Sequence, residues 1–97
     1  MINQIADTVK PIAQQYNFQK VILFGSHARG DATVDSDIDL FINAGGIRFL
    51  DACTAGMDIK EALNNIEIDI LFEDYMDVHP DILENVRKDG VILYEEE

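Results

Sequence analysis

Asp37 and Asp39 stand two residues apart in the segment Ser36-Asp37-Ile38-Asp39-Leu40, shortly after the glycine-punctuated run Gly25-Ser26-His27-Ala28-Arg29-Gly30-Asp31. In a β-strand the side-chain period is two, so the two carboxylates share one face while Ile38 and Leu40 take the other. Like charges that close raise each other's pKa and cost stability unless a cation lies between them, a pattern that calls for a divalent metal. Gly25 and Gly30 let the backbone turn sharply and approach phosphate oxygens. The amides of Ser26 and its neighbours, at the start of a helical turn, can donate to a triphosphate, and the Ser26 hydroxyl adds a donor. Together these residues read as metal-dependent nucleotide chemistry.

Three other motifs compete for the same residues and fail. Gly25 to Gly30 has the first spacing of a Walker A loop, but Asp31 stands where the lysine must reach the phosphates. An EF-hand loop starting at Asp35 requires glycine and glutamate where this chain has Leu40 and Gly46. No G-x-G-x-x-G occurs, which leaves a Rossmann dinucleotide site without support.

The elements that must position these groups follow from periodicity. Ile2, Ile5, Val9, Ile12, Ala13 and Tyr16 recur at helical spacing over residues 2–16, with Pro11 expected to kink or split the helix. Lys20 to Phe24 reads as a buried strand that stops where the glycine run begins, and Ile38 to Ile42 as a second, closed by Asn43-Ala44-Gly45-Gly46. Residues 47–64 suit a helix in one or two pieces, weakened by Gly56. Glu67 to Phe72 reads as a third strand, carrying Asp69 between Ile68 and Ile70. Pro80, then Ile82, Leu83 and Val86, then Gly90 beyond Arg87-Lys88, supply a helix with start and stop signals, and Val91 to Tyr94 a last strand. The expected fold is α+β: one mixed sheet with flanking helices, in a single domain over residues 1–97.

Bulk composition narrows the function classes. No apolar run approaches the ~20 residues of a membrane span, and the start lacks the basic and apolar regions of a secretion signal, so a cytoplasmic protein is expected. Cys53 is alone, which excludes an internal disulfide, and it reads as a small buried apolar residue. A net charge of −12 opposes direct nucleic-acid binding. From Asp69 onward ten acidic residues face only Arg87 and Lys88, ending in Glu95-Glu96-Glu97, which suits a basic partner protein. Phe41, Phe49, Phe72 and Tyr75 are candidates for an interface patch, self-association included.

The two-part run from Gly25 to Asp31 and Ser36 to Leu40 resembles the G-S-x-A-R-G-(D/E)…S-D-(I/L)-D-(L/F) signature of the polymerase-beta-like nucleotidyltransferases, in particular their minimal nucleotidyltransferase (MNT) members. The resemblance implies a nucleotidyltransferase fold and places a third acidic residue on a later strand, as Asp69 stands here. It implies that Asp37, Asp39 and Asp69 are catalytic and hold two Mg²⁺ ions, and that Gly25, Ser26, Arg29 and Gly30 bind the nucleotide, ATP. The family's stand-alone MNT proteins are antitoxins that transfer AMP to a tyrosine of a HEPN-type toxin, so such a toxin is the expected partner. Two alternatives stay open: an antitoxin that acts by binding alone, and transfer to a small molecule. Arg29 is read either on phosphate or in a structural salt bridge. Asp31 and Ser36 are read as turn residues, and His27, at the variable position, as a surface residue. His79 is read as structural, while Glu67, Glu73 and Asp74 are the competitors of Asp69.

Overall fold

A computed structural model describes residues 2–64 and 67–96. Met1, Asn65, Ile66 and Glu97, the last of the acidic C-terminal run, lie outside them. The elements are α1 (Ile2–Gln15), β1 (Lys20–Phe24), α2 (Ser26–Arg29), β2 (Ile38–Asn43), α3 (Phe49–Ala62), β3 (Ile68–Phe72), α4 (Pro80–Asp89) and β4 (Val91–Glu95). The strands form one sheet in the order β3-β2-β1-β4. β1 runs antiparallel to β2 and β4, whereas β2 and β3 are parallel, joined by the α3 crossover.

Alternation along the strands divides the sheet into unlike faces. Val21, Leu23, Ile38, Leu40, Ile42, Ile68 and Phe72 meet Ile5, Val9 and Ala13 of α1 and Ala52, Ala55 and Ile59 of α3 in the main core. Burying one such Val, Leu or Ile side chain contributes ~1.5–3 kcal/mol before entropy is counted. The other face is covered in part by α4, where Val86 and Ile82 pack on Phe24, Phe41, Ile22 and Leu71. The same face, at the end of the sheet where β1 stops and β2 and β3 begin, carries Asp39 and Asp69.

Several expectations change. α1 runs unbroken through Pro11; Pro11 and Asp7, whose carbonyl loses its intrahelical donor, are both exposed, so that carbonyl is left open to solvent rather than buried without a partner. α3 is one helix despite Gly56, because the sheet packs against its small-residue side. Cys53 is exposed rather than buried, on the outer side of that helix. Of the four aromatic residues considered for an interface, Phe41 and Phe72 belong to the two cores while Phe49 and Tyr75 are exposed. Across α1 and α3 the Tyr16 hydroxyl donates to Asp58 Oδ2 at 2.5 Å, a bond that raises the phenol pKa above its ordinary 10.0. At the start of α4 the His79 Nδ1 accepts from the Asp81 amide at 3.1 Å, in keeping with a structural histidine before Pro80.

Candidate active site

The site begins where β1 ends. Gly25 has φ of +77° and ψ of −156°, a conformation closed to residues with a Cβ. Space imposes the same demand: a Cβ at Gly25 would lie 2.3 Å from Asp39 Oδ2. The carboxylate of β2 therefore rests directly on the glycine backbone. From Gly25 the chain enters α2, in which the amides of Ala28 and Arg29 donate to the Gly25 carbonyl, leaving those of Ser26 and His27 ahead of the first helical donor. Gly30 closes the turn in the left-handed region at φ of +88°, its amide donating to Ser26 O.

Strand register assembles the acids. Asp39 stands opposite Phe24 of β1 on one side and beside Asp69 of β3 on the other. Asp37 lies immediately before β2, half-buried like Asp39. Asp39 has its pKa raised above 3.8, first by burial and then by the charges of Asp69 and Asp37, with His27 and Arg29 pulling the other way. So the other two sequence-predicted carboxylates, Asp69 and Asp37, act on Asp39, and the glycine turn meets it at the end of β1.

Among the described residues no three His, Cys, Asp or Glu side chains converge into a ready-made metal cage. Mg²⁺ ordinarily keeps several waters and takes one or two carboxylates plus substrate phosphates, so the fit rests on Asp39 and its neighbours. The donor set fits: hard oxygen ligands, with Asp39 held against two like charges that a divalent ion would offset.

The competitors of Asp69 have other places. The Asp74 carboxylate accepts the Ala44 amide at 2.9 Å and the Gly46 amide at 3.0 Å, fixing the loop after β2 at the opposite end of the sheet. Glu73 follows β3 at that same end. Glu67 is exposed just ahead of β3, its carbonyl accepting from the Ile38 amide.

Ser36 is a turn residue, as read: its hydroxyl accepts the Thr33 amide at 2.9 Å and its own amide donates to Thr33 O. Arg29 sits in the salt-bridge alternative, with Nε 3.3 Å from Asp31 and Nη1 3.8 Å from Asp89 at the end of α4. Asp31 is thus the arginine's partner as well as a turn residue. His27 departs from expectation. It is half-buried, and its Nε2 lies 3.3 Å from the Ser36 carbonyl, linking α2 to the residue before Asp37. With Gly30, Ala32, Thr33 and Val34 it lines a shallow hollow of about 330 Å³ beside the turn.

A family model described as "Polymerase beta, Nucleotidyltransferase" matches residues 7–97. The chain belongs to that family. A relative in Methanocaldococcus jannaschii, named "Putative protein adenylyltransferase MJ0435", is 30% identical over 91 residues, 93% of this chain and 95% of its own length. A solved structure described as a "putative minimal nucleotidyltransferase" superposes with a TM-score of 0.70 at 28% identity, covering 89% of this chain and 86% of that one. The MNT antitoxin structure solved in complex with a tri-AMPylated Shewanella oneidensis HEPN toxin superposes with a TM-score of 0.70 at 16% identity, covering 99% of this chain and 74% of that one, a likeness of fold. This minimal nucleotidyltransferase is therefore an α+β enzyme of the polymerase-beta-like class, as its glycine run and twin aspartates imply.

Two of the nucleotidyltransferase's contacts had no signal in the sequence. Asp89 near Arg29 depends on where α4 ends in space, and the His27 bond to Ser36 on how the polar loop folds back. The carboxylate pairing did have one, the equal placement of Asp39 and Asp69 as the second residue of two apolar strands.

Proposed function

We propose that the chain moves AMP from ATP to a hydroxyl on another protein, a tyrosine of a HEPN-type partner, as an antitoxin of that partner. One observation carries the reading. The parallel register sets Asp69 beside Asp39, and Asp39 lies on the Gly25 backbone that opens the phosphate turn. In this reading the phosphate oxygens, the metal-binding carboxylates and the incoming hydroxyl share one end of one sheet face. The names of the relative and of the fold neighbour support the protein acceptor and the partner class.

In this reading residues 1–97 act as one domain. Gly25, Ser26, Arg29 and Gly30 hold the triphosphate: the Ser26 and His27 amides donate to its oxygens, and Arg29 exchanges Asp31 for phosphate. Asp37, Asp39 and Asp69 hold the Mg²⁺ ions. When bound there, Mg²⁺ would supply charge neutralisation for the phosphates and lower the pKa of the acceptor hydroxyl. The acceptor oxygen attacks the α-phosphorus in line, the bond to pyrophosphate breaks, and a carboxylate oxygen of Asp69 takes the hydroxyl proton directly or through water. Asp69 is exposed, hence accessible to an acceptor arriving from solvent.

The test is transfer of labelled AMP to a HEPN-type partner with and without Mg²⁺. Wild-type transfer that requires Mg²⁺ and disappears in Asp37→Asn supports the reading, whereas transfer no greater than that of Asp37→Asn sinks it. Full neutralisation of the toxin in cells by an Asp37→Asn, Asp39→Asn double variant would instead establish action by binding alone.

A further inference from the structure

The outer side of α3 carries large apolar residues among exposed Thr54, Lys60 and Glu61. Ala52, Ala55, Gly56 and Ile59 are buried, while Phe49, Leu50 and Met57 look outward at 58, 75 and 69% exposure. Tyr75, exposed beyond the end of β3, meets Phe49 edge-on with ring centroids 5.5 Å apart, and exposed Met76 follows it. Large apolar side chains left exposed beside one another in this way point to a protein–protein surface. β3, against which α3 packs at Ile70 and Phe72, is the edge strand of the sheet. The apolar helix face and an open strand edge therefore adjoin, and the same strand carries Asp69 near its start.

We propose that the outer face of α3, with Tyr75, Met76 and the edge of β3, is where the acceptor chain docks. Its occupant is a helix with an apolar stripe flanked by lysine and arginine. Charge selects that occupant over a second copy of this chain. Glu61, Glu73 and Asp77 lie exposed on α3 and beside β3 without a cationic partner among the described residues, and pairing two copies would oppose two net charges of −12. Tyr75 and Met76 follow the far end of β3, so an acceptor seated here must extend along the β3 edge to the start of the strand to reach Asp69. The identity of the acceptor chain rests on the reading given under Proposed function; the location of the surface does not.

The experiment measures binding of a HEPN-type partner by sedimentation, together with the MgATP-induced rise in melting temperature, for wild type, Leu50→Glu, Met57→Glu and Leu83→Glu. Leu50 and Met57 lie mostly in solvent, so a charge there spares the fold, and Leu83 is an exposed apolar control on α4. The expected result is at least about tenfold weaker binding for Leu50→Glu and for Met57→Glu, within about twofold of wild type for Leu83→Glu, and an unchanged MgATP response in all four. Wild-type binding that both α3 variants retain overturns the inference while leaving the partner reading intact. Self-association of wild type abolished by Leu50→Glu overturns it in favour of a second copy. A wild type that ignores the HEPN chain overturns the partner reading and the inference with it, and the MgATP response in the same samples shows whether the nucleotide chemistry stands.

Discussion

Asp39 and Asp74 are carboxylates at opposite ends of the same strand pair, and they have unlike company. Asp74 receives two backbone amides, from Ala44 and Gly46, and its charge is matched by donors that need it. Asp39 is wedged against Gly25, its pKa raised first by burial and then by the charges of Asp69 and Asp37. A carboxylate that serves the fold is surrounded by donors; one kept among like charges destabilises the chain alone and is explained by what it holds when loaded. The contrast separates stability from activity residue by residue, and it can be broken by experiment.

The largest effect is expected at Gly25→Ala. The new methyl has to displace the Asp39 carboxylate and the residue must still adopt φ of +77°, so transfer falls by at least about 100-fold and stability by about 1–3 kcal/mol, read from AMP transfer and urea melts. Next comes Asp39→Asn, with transfer down about 100-fold or more but the fold no less stable. The pH dependence gives that claim its sign. The folded-state pKa of Asp39 is raised above 3.8, so its proton-linked stability is fully present below 3.8 and is lost as pH rises through the raised value. In melts with a chelator the wild type should therefore lose ground relative to Asp39→Asn on going from pH 3.8 towards neutral. The groups facing it are Asp69, Asp37, His27 and Arg29. A wild type that instead gains on the variant over that range would remove the account of a carboxylate held back by burial and like charges.

Asp74→Ala is the mirror case: about 1–3 kcal/mol less stable because two amides lose their acceptor, with transfer per folded molecule nearly unchanged. Asp74→Asn, which keeps one acceptor oxygen, should lose less. The smallest effect belongs to Asp89→Asn. It removes an exposed-side ion pair with Arg29 at 3.8 Å, worth at most about 1 kcal/mol, and leaves Arg29 freer for phosphate. Transfer should be unchanged or slightly faster at low ATP.

Much of this contrast could be read from the chain. Alternation in Ile38-Asp39-Leu40 and Ile68-Asp69-Ile70 set each acid apart from the apolar side of its own strand, and the glycines bounded the turn between β1 and α2, while the pairing of the two acids came with the parallel register. Those are local rules, with period two and positive φ as their content. What stayed hidden was tertiary. Asp74 and Asp69 differ little in sequence, and only the return of the loop after β2 gives Asp74 its donors. Arg29 needed the end of α4 to find Asp89. Pro11 misled because its penalty depends on whether the orphaned carbonyl meets water, and Cys53 because α3 carries apolar residues on its outer side as well as its inner one, so hydrophobic character did not say which way the residue faced.

The parallel pairing of β2 with β3 also dictates when the site can exist during folding. β1, the glycine turn and β2 are neighbours in sequence and pair antiparallel, so the phosphate turn and Asp39 can meet early. Asp69 joins only after the whole α3 crossover has closed, the slower and less local event. The repulsion between Asp39 and Asp69 is therefore deferred to a later stage of sheet assembly than the pairing of β1 with β2. Neutralising Asp69 should speed that stage, and divalent cations should do the same for the wild type.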